Sequence, residues 1–196
     1  TDGNGIGDFN GITKKLDYIN DGKADTATDL GVDTIYLMPI NPTDSYHGYD
    51  VTDYYDVNPE YGTKSDFKKM VKEAHKRGVR VVIDLVMNHT SRKHQWFIDS
   101  TDPKSSMHDW YVWKDEKPEG WITFGSKDGP WYPRAGKFYY ALFWEGMPDL
   151  NYKNPEVREE MKKVANYWMN TMGVDGFRLD AIKHIDANFM EVFVRH

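Results

Sequence analysis

Val79-Arg-Val-Val-Ile-Asp-Leu-Val86 is an almost unbroken apolar run, the pattern of a parallel strand covered on both faces. Working outward, Gly78 stops a helix predicted over Lys64 to Lys76, whose Phe67, Met70, Val71 and Ala74 fall on one face. Before it, Thr34-Ile-Tyr-Leu-Met-Pro39 reads as a buried strand closed by proline. Strand, helix, strand in that order makes a βαβ unit and an α/β fold class. Ile12, Leu16 and Ile19 predict a short amphipathic helix over 11–20, and residues 41–62 read as loop. Helical spacing returns from Pro155 to Met172, and Gly173-Val-Asp-Gly-Phe-Arg-Leu-Asp180 reads as a third strand. Between them, residues 88–150 are dense in aromatics among Gly, Pro and Asp, and a long irregular insertion of this kind is usually functional. An open doubly wound sheet and an α/β barrel both fit this order, and periodicity does not choose between them. Both carry their sites beyond the C-terminal ends of the strands, where Asp84, Asn88, His89, Arg178 and Asp180 collect.

The 196 residues carry 25 basic against 31 acidic side chains, a net charge of −6. Lys and Arg are scattered among Asp and Glu, so the clustered basic face that nucleic acid requires is not expected. With 39% hydrophobic residues and a mean hydropathy of −0.74, no apolar run approaches the roughly 20 residues of a membrane span. The absence of cysteine excludes disulfides, thiol catalysis and Cys-ligated zinc. An aromatic content of 15%, with seven Trp and 13 Tyr, exceeds what the core needs, so either sugar-stacking faces or plain core filling accounts for it. The chain begins inside a glycine-rich loop with no signal pattern, so targeting is not legible.

In a strand, residues two apart share a face, so Arg178 and Asp180 are expected side by side, away from Phe177 and Leu179. A guanidinium keeps a nearby carboxylate charged, which a glycosidase nucleophile needs in order to attack an anomeric carbon. A structural ion pair at a strand end gives the same spacing. Asp2, Asn4 and Asp8, with the Ile6 carbonyl between them, offer oxygens at alternating positions around glycines. That arrangement suits Ca2+, although a solvated Gly/Asp turn has the same composition.

Three segments together are specific. Asp84-Leu-Val-Met-Asn88-His89, Met147-Pro-Asp-Leu-Asn151 and Gly176-Phe-Arg-Leu-Asp-Ala-Ile-Lys-His184 resemble, in order and approximate spacing, signature segments of the α-amylase family of retaining glycoside hydrolases. The likeness extends to Tyr46-His-Gly-Tyr49 and the opening glycine loop. It implies part of a (β/α)8 TIM barrel, about strands two to four, formed by 1–87 and 151–196, with 88–150 as a small inserted domain after the third strand. Position by position, it implies that Asp180 is the nucleophile and Arg178 the arginine that orients it. Asp84 and His89 would contact the sugar at the cleavage subsite, Tyr49 would stack under it, His47 would hydrogen-bond beside it, and Lys183 and His184 would line the leaving-group side. It also implies a structural Ca2+ on Asp2, Asn4, Ile6 and Asp8, and in many amylases a second on Asn88 and Asp149.

The implied substrate is an α-glucan or maltooligosaccharide. Tyr46-His47 stands where exo-acting relatives usually carry an aspartate, and Lys183-His184 is similar to the amylase version of its segment; both favour endo cleavage of α-1,4 bonds. Met147-Pro-Asp-Leu-Asn151 lies between oligo-1,6-glucosidase and neopullulanase versions, which keeps α-glucosidase and neopullulanase activities as alternatives. Non-catalytic relatives typically lose active-site residues, whereas Asp84, His89, Arg178 and Asp180 are all present here. The family's glutamic general acid after strand five and its stabilising aspartate after strand seven have no match in the chain, and Glu191, on the expected fourth helix, is a poor substitute. The chain alone is therefore expected to be inactive. A secreted or cell-surface location is favoured over a cytoplasmic one.

Overall fold

The computed structural model describes residues 3, 5–24, 27–119 and 129–195. The chain divides into two compact units, one of residues 1–42, 55–85 and 164–178, the other of 43–54, 86–163 and 179–196.

A three-stranded sheet runs in the order β1-β2-β6, with β1 Thr34–Leu37, β2 Arg80–Val86 and β6 Gly176–Asp180; its residues as far as Leu85 and Arg178 belong to the first unit. β1 and β2 are parallel, with Thr34 opposite Arg80 and Leu37 opposite Ile83. Two helices, α1 (Phe9–Ile19) and α2 (Lys64–His75), pack against each other. α2 begins with a reciprocal capping box, the Thr63 side chain accepting from the Asp66 N–H and the Asp66 side chain from that of Thr63. It ends at Gly78, whose φ of 72° glycine adopts without steric cost. The predicted face of α2 is the buried one: Phe67, Met70, Val71 and Ala74 all lie in the core. Phe67 meets Phe9 and Trp168 edge-on at ring distances of 5.1 and 5.6 Å. Asp175 receives the Val81 N–H at 2.8 Å and pairs with His75 Nε2 at 2.8 Å, tying α2 and β2 to the chain entering β6.

In the second unit an aromatic cluster forms the core. The short helix α3 (Gln95–Ser100) puts Phe97 against Tyr111, Trp113 and Tyr139, at 5.1, 5.7 and 4.9 Å. The stretch expected to be irregular contains a small antiparallel sheet in the order β3-β5-β4, from Trp113–Lys114, Trp131–Arg134 and Lys137–Tyr140 (β3, β4 and β5). These strands are too short for a period-two pattern to emerge, and Pro133 within β4 argues against a strand on sequence alone. α4 (Pro155–Asn166) continues through a wider π-type stretch, Tyr167–Met172, so the predicted helix to Met172 is regular only in its first part. α5 (Ala187–Val194) carries Glu191, which pairs with Arg195 at 2.6 Å. No described helix is long and apolar enough to cross a membrane.

Candidate active site

In the first unit the polar residues of the sheet form one cluster. Tyr36 pairs in register with Val82, and Asp84, two residues on, projects from the same face. The Tyr36 hydroxyl donates to Asp84 Oδ2 at 2.6 Å, and Arg178 Nη1 reaches both Asp84 oxygens at 3.1 and 3.0 Å. The Asp84 side chain is fully buried while that of Arg178 remains 47% exposed. Arg178 was expected to serve Asp180; the bonds seen here also make it the charged partner of Asp84. Tyr36 escaped the sequence reading, although a phenol among apolar strand neighbours was a usable signal.

The second unit holds a cavity of about 330 Å³ lined by His47, Tyr49, His89 and Asp180 with Phe143, Trp144 and Met147. Asp180 is the last residue of β6, and Ala181 turns the chain directly afterwards with φ 52°, a conformation uncommon for a residue with a side chain. The His47 ring lies near that of Tyr49, 6.0 Å and 27° apart. His47 Nδ1 accepts the Tyr49 N–H at 3.1 Å, which leaves Nε2 as the ring's donor.

His89 is buried on a segment anchored by two tyrosines. The Tyr54 hydroxyl lies 2.8 Å from both the Val86 and His89 carbonyls, and that of Tyr152 donates to the Met87 carbonyl at 2.6 Å. Burial lowers the His89 pKa to about 4, opposed by the hydrogen bond to the Tyr49 carbonyl, so the ring is neutral near pH 7. Nε2 then donates to that carbonyl at 3.1 Å, and the Asn88 amide approaches Nδ1 at 3.4 Å. The Phe143 ring makes T-shaped contacts with both His89, at 5.2 Å, and His184, at 5.7 Å. Lys183 and His184 lie in the turn after β6 and are not among the cavity-lining residues. Phe143, Trp144 and Met147 do line it. The sequence reading missed all three in this role; the aromatic pair just ahead of Met147-Pro-Asp was the available signal.

Asp2 and Asn4 lie outside the described residues. Asp8 is the N-cap of α1, its carboxylate accepting from the Gly11 N–H. Asp149 accepts from the Leu142 N–H and from Asn88 Nδ2, both at 2.8 Å, so its two oxygens already have protein donors and the Asn88 amide N–H points at them. Among the described residues no cluster of three or more His, Asp or Glu is poised to hold a metal.

The α-amylase catalytic-domain model matches residues 1–193. α-Amylase 3 of Dictyoglomus thermophilum is 48% identical over 186 residues, covering 94% of this chain and 34% of its own length. The oligo-1,6-glucosidase of Parageobacillus thermoglucosidasius is 42% identical over 193 residues, covering 94% and 33%. The chain thus spans about a third of the length of these curated relatives. The crystal structure of the α-amylase from H. orenii superimposes with a TM-score of 0.88 at 49% identity, covering all of this chain and 40% of that one. With the family model matched over nearly its whole length, the chain belongs to the α-amylase family, and its three-stranded sheet is part of the (β/α)8 barrel of that family's catalytic domain.

Proposed function

We propose that the full-length protein is a retaining glycoside hydrolase of the α-amylase type, cleaving α-1,4-glucosidic bonds of starch or maltooligosaccharides, with Asp180 as nucleophile. The observation that supports this reading best is the cavity in which the Asp180 carboxylate stands with His47 and His89 and an apolar wall of Tyr49, Phe143, Trp144 and Met147. Such a mixture suits a sugar, whose hydroxyls need donors and whose C–H faces need flat apolar partners.

In this mechanism an Asp180 oxygen attacks the anomeric carbon as the glycosidic C–O bond breaks, and the leaving oxygen takes a proton from a general acid. Water then cleaves the glucosyl ester with the same acid acting as base. Arg178 and Tyr36 fix Asp84, and His47 presents its Nε2 N–H as a donor. Retention requires a second carboxyl about 5–5.5 Å from the first. Among the described residues lining the cavity Asp180 is the one carboxylate, so the 196-residue segment alone is expected to be inactive, since loss of a general acid typically forfeits about 10²–10⁴ in rate. Trapping the full-length enzyme with a fluorinated glycoside and mapping the labelled peptide tests the assignment; a label on any residue other than Asp180 refutes it.

The oligo-1,6-glucosidase likeness favours a second reading, hydrolysis of α-1,6 bonds at chain ends. Starch with blocked non-reducing ends separates the two. Release of short oligosaccharides supports the amylase reading, and no release with rapid cleavage of isomaltose supports the other.

A further inference from the structure

We propose that Ser45 and the buried Asp50 are positioning residues for His47, holding its ring in the tautomer whose Nε2 N–H donates to one hydroxyl of the glucosyl unit attacked by Asp180. This deepens the reading of the Asp180 cavity and rests on it.

The segment 43–51 closes on itself. Thr43 and Val51 form an isolated antiparallel bridge, and the Val51 carbonyl accepts the Ser91 N–H at 2.8 Å. Between them Gly48, buried and with φ 82°, makes a bend that a residue with a side chain rarely adopts. Asp50 is 5% exposed at the end of this loop. A buried carboxylate must be supplied with donors, and two hydroxyls of its own loop reach it. Its Oδ1 accepts from Thr43 Oγ1 at 2.5 Å and is in hydrogen-bond contact with Ser45 Oγ.

The Ser45 hydroxyl faces two ways. Its single proton has two acceptors in reach, Asp50 Oδ1 and His47 Nδ1, the second at 3.1 Å. Because the Thr43 proton also serves Asp50 Oδ1, the Ser45 proton can turn to His47 without leaving the carboxylate bare. The Gly48 N–H donates to Ser45 Oγ at 3.3 Å and the Ser45 N–H to Thr43 Oγ1 at 3.1 Å, which keep both oxygens in place while that proton turns. His47 Nδ1 is thus met by two donors, the Ser45 hydroxyl and the Tyr49 N–H. A ring nitrogen held as an acceptor sends the ring hydrogen to the other nitrogen. His47 lines the cavity that contains Asp180, so Nε2 is the nitrogen left for a ligand there. The hydroxyls of a glucosyl unit are alike in chemistry and differ in direction, and an N–H fixed in direction is what selects one of them. Asp50 also bears on His89, its charge opposing the effect of burial on that ring, so Ser45 is the position that separates the two histidines.

The test measures kcat/KM of the full-length wild type, Ser45→Ala, Ser45→Thr, Asp50→Asn and His47→Ala on α-glucosyl fluoride and on its 2-, 3-, 4- and 6-deoxy analogues. His47→Ala should lose activity on the parent fluoride and on every analogue but one, the analogue lacking the hydroxyl that Nε2 holds. Ser45→Ala should lose about fivefold on the parent, the effect of one hydrogen bond, and less than about twofold on that same analogue. Ser45→Thr keeps the hydroxyl and should stay within about twofold of wild type throughout. Asp50→Asn should spare the same analogue, and if it does not fold, the two Ser45 variants decide. A Ser45→Ala value within about twofold of wild type on the parent, an equal loss on all the fluorides, or a His47→Ala loss that spares no analogue overturns the proposal. Failure of the wild type to label at Asp180 refutes the hydrolase reading instead, so the two failures are distinguishable.

Discussion

Asp84 and Asp149 are both carboxylates almost without exposure, one in each compact unit, and they are satisfied by opposite means. Asp84 has a guanidinium and a phenol, from Arg178 and Tyr36. Asp149 has only amide donors, from Leu142 and Asn88, and burial pushes its pKa up to about 7 in spite of them. Amide dipoles orient a buried carboxylate without neutralising it, whereas a countercharge does both. The unit around the cavity is consequently the one whose stability should respond to mildly acidic or neutral pH.

Removing the countercharge should make the two sites alike. Arg178→Met removes the guanidinium from the buried Asp84 carboxylate, and a loss of about 2–3 kcal/mol is expected near neutral pH, less than for a fully buried pair because the guanidinium is half exposed. Arg178→Lys should recover part of it, since an ammonium lacks the planar fork that meets both oxygens. Denaturant midpoints of the full-length protein measure this. A loss in Arg178→Met no larger than that of an ordinary surface substitution, about 0.5 kcal/mol, would break the comparison.

The next effect has two opposite signs. Asp149 has a folded pKa above the unfolded value, so between about pH 4 and 7 the folded state holds a proton that the unfolded state has released, and its contribution to stability falls as pH rises. His94, whose pKa burial lowers to about 4, does the reverse: below pH 6.5 the unfolded state takes the proton first, and stability falls as pH falls. Asp149→Asn should therefore gain relative to wild type as pH rises from 4 to 8. His94→Asn keeps an acceptor for the cap of α3 and should gain about 2 kcal/mol at pH 5 relative to its effect at pH 8. Slopes of the same sign in the two variants would refute the picture.

Smaller again is the contribution of the tyrosines under His89. Tyr152→Phe removes the hydroxyl donor of the Met87 carbonyl, and Tyr54→Phe removes the single hydroxyl proton shared between the Val86 and His89 carbonyls; each should cost about 1–2 kcal/mol. If the hydroxyls position His89 as well as stabilise the fold, kcat/KM should fall more than the stability loss explains, and unchanged kcat/KM would confine them to structure.

What could be read from the sequence follows the length of its periodic segments. β2 and α2 were legible because a nearly continuous apolar run, and four apolar residues on one helical face, leave little choice of register. β1 ends at Leu37 instead of reaching Pro39, because Met38 is 56% exposed and proline cannot donate to a ladder. The β3-β5-β4 sheet was illegible because its strands are held by aromatic packing, not by alternation. Asp180, His47, Tyr49 and His89 were legible as members of motifs. Ser45 with His47, and Tyr36 with Asp84, were not, since a hydroxyl turned back on a ring and a phenol reaching across two strands exist only once the backbone is folded.

The smallest effect separates a helix cap from a metal ligand. Asp8 caps α1 through the Gly11 N–H, so Asp8→Ala should cost about 1 kcal/mol whether or not calcium binds, and that variant alone says nothing about a metal. Asp8→Asn keeps an oxygen in the same place for the cap but removes the negative charge that a hard cation requires. If the loop of Asp2, Asn4, Ile6 and Asp8 binds calcium, the ion stabilises the folded state by mass action, and a chelator should lower the melting temperature of the wild-type protein. In Asp8→Asn the melting temperature should already match that of the chelated wild type, and further chelator should leave it unchanged. A chelator effect of full size in Asp8→Asn would assign the calcium to other residues and leave Asp8 as a helix cap.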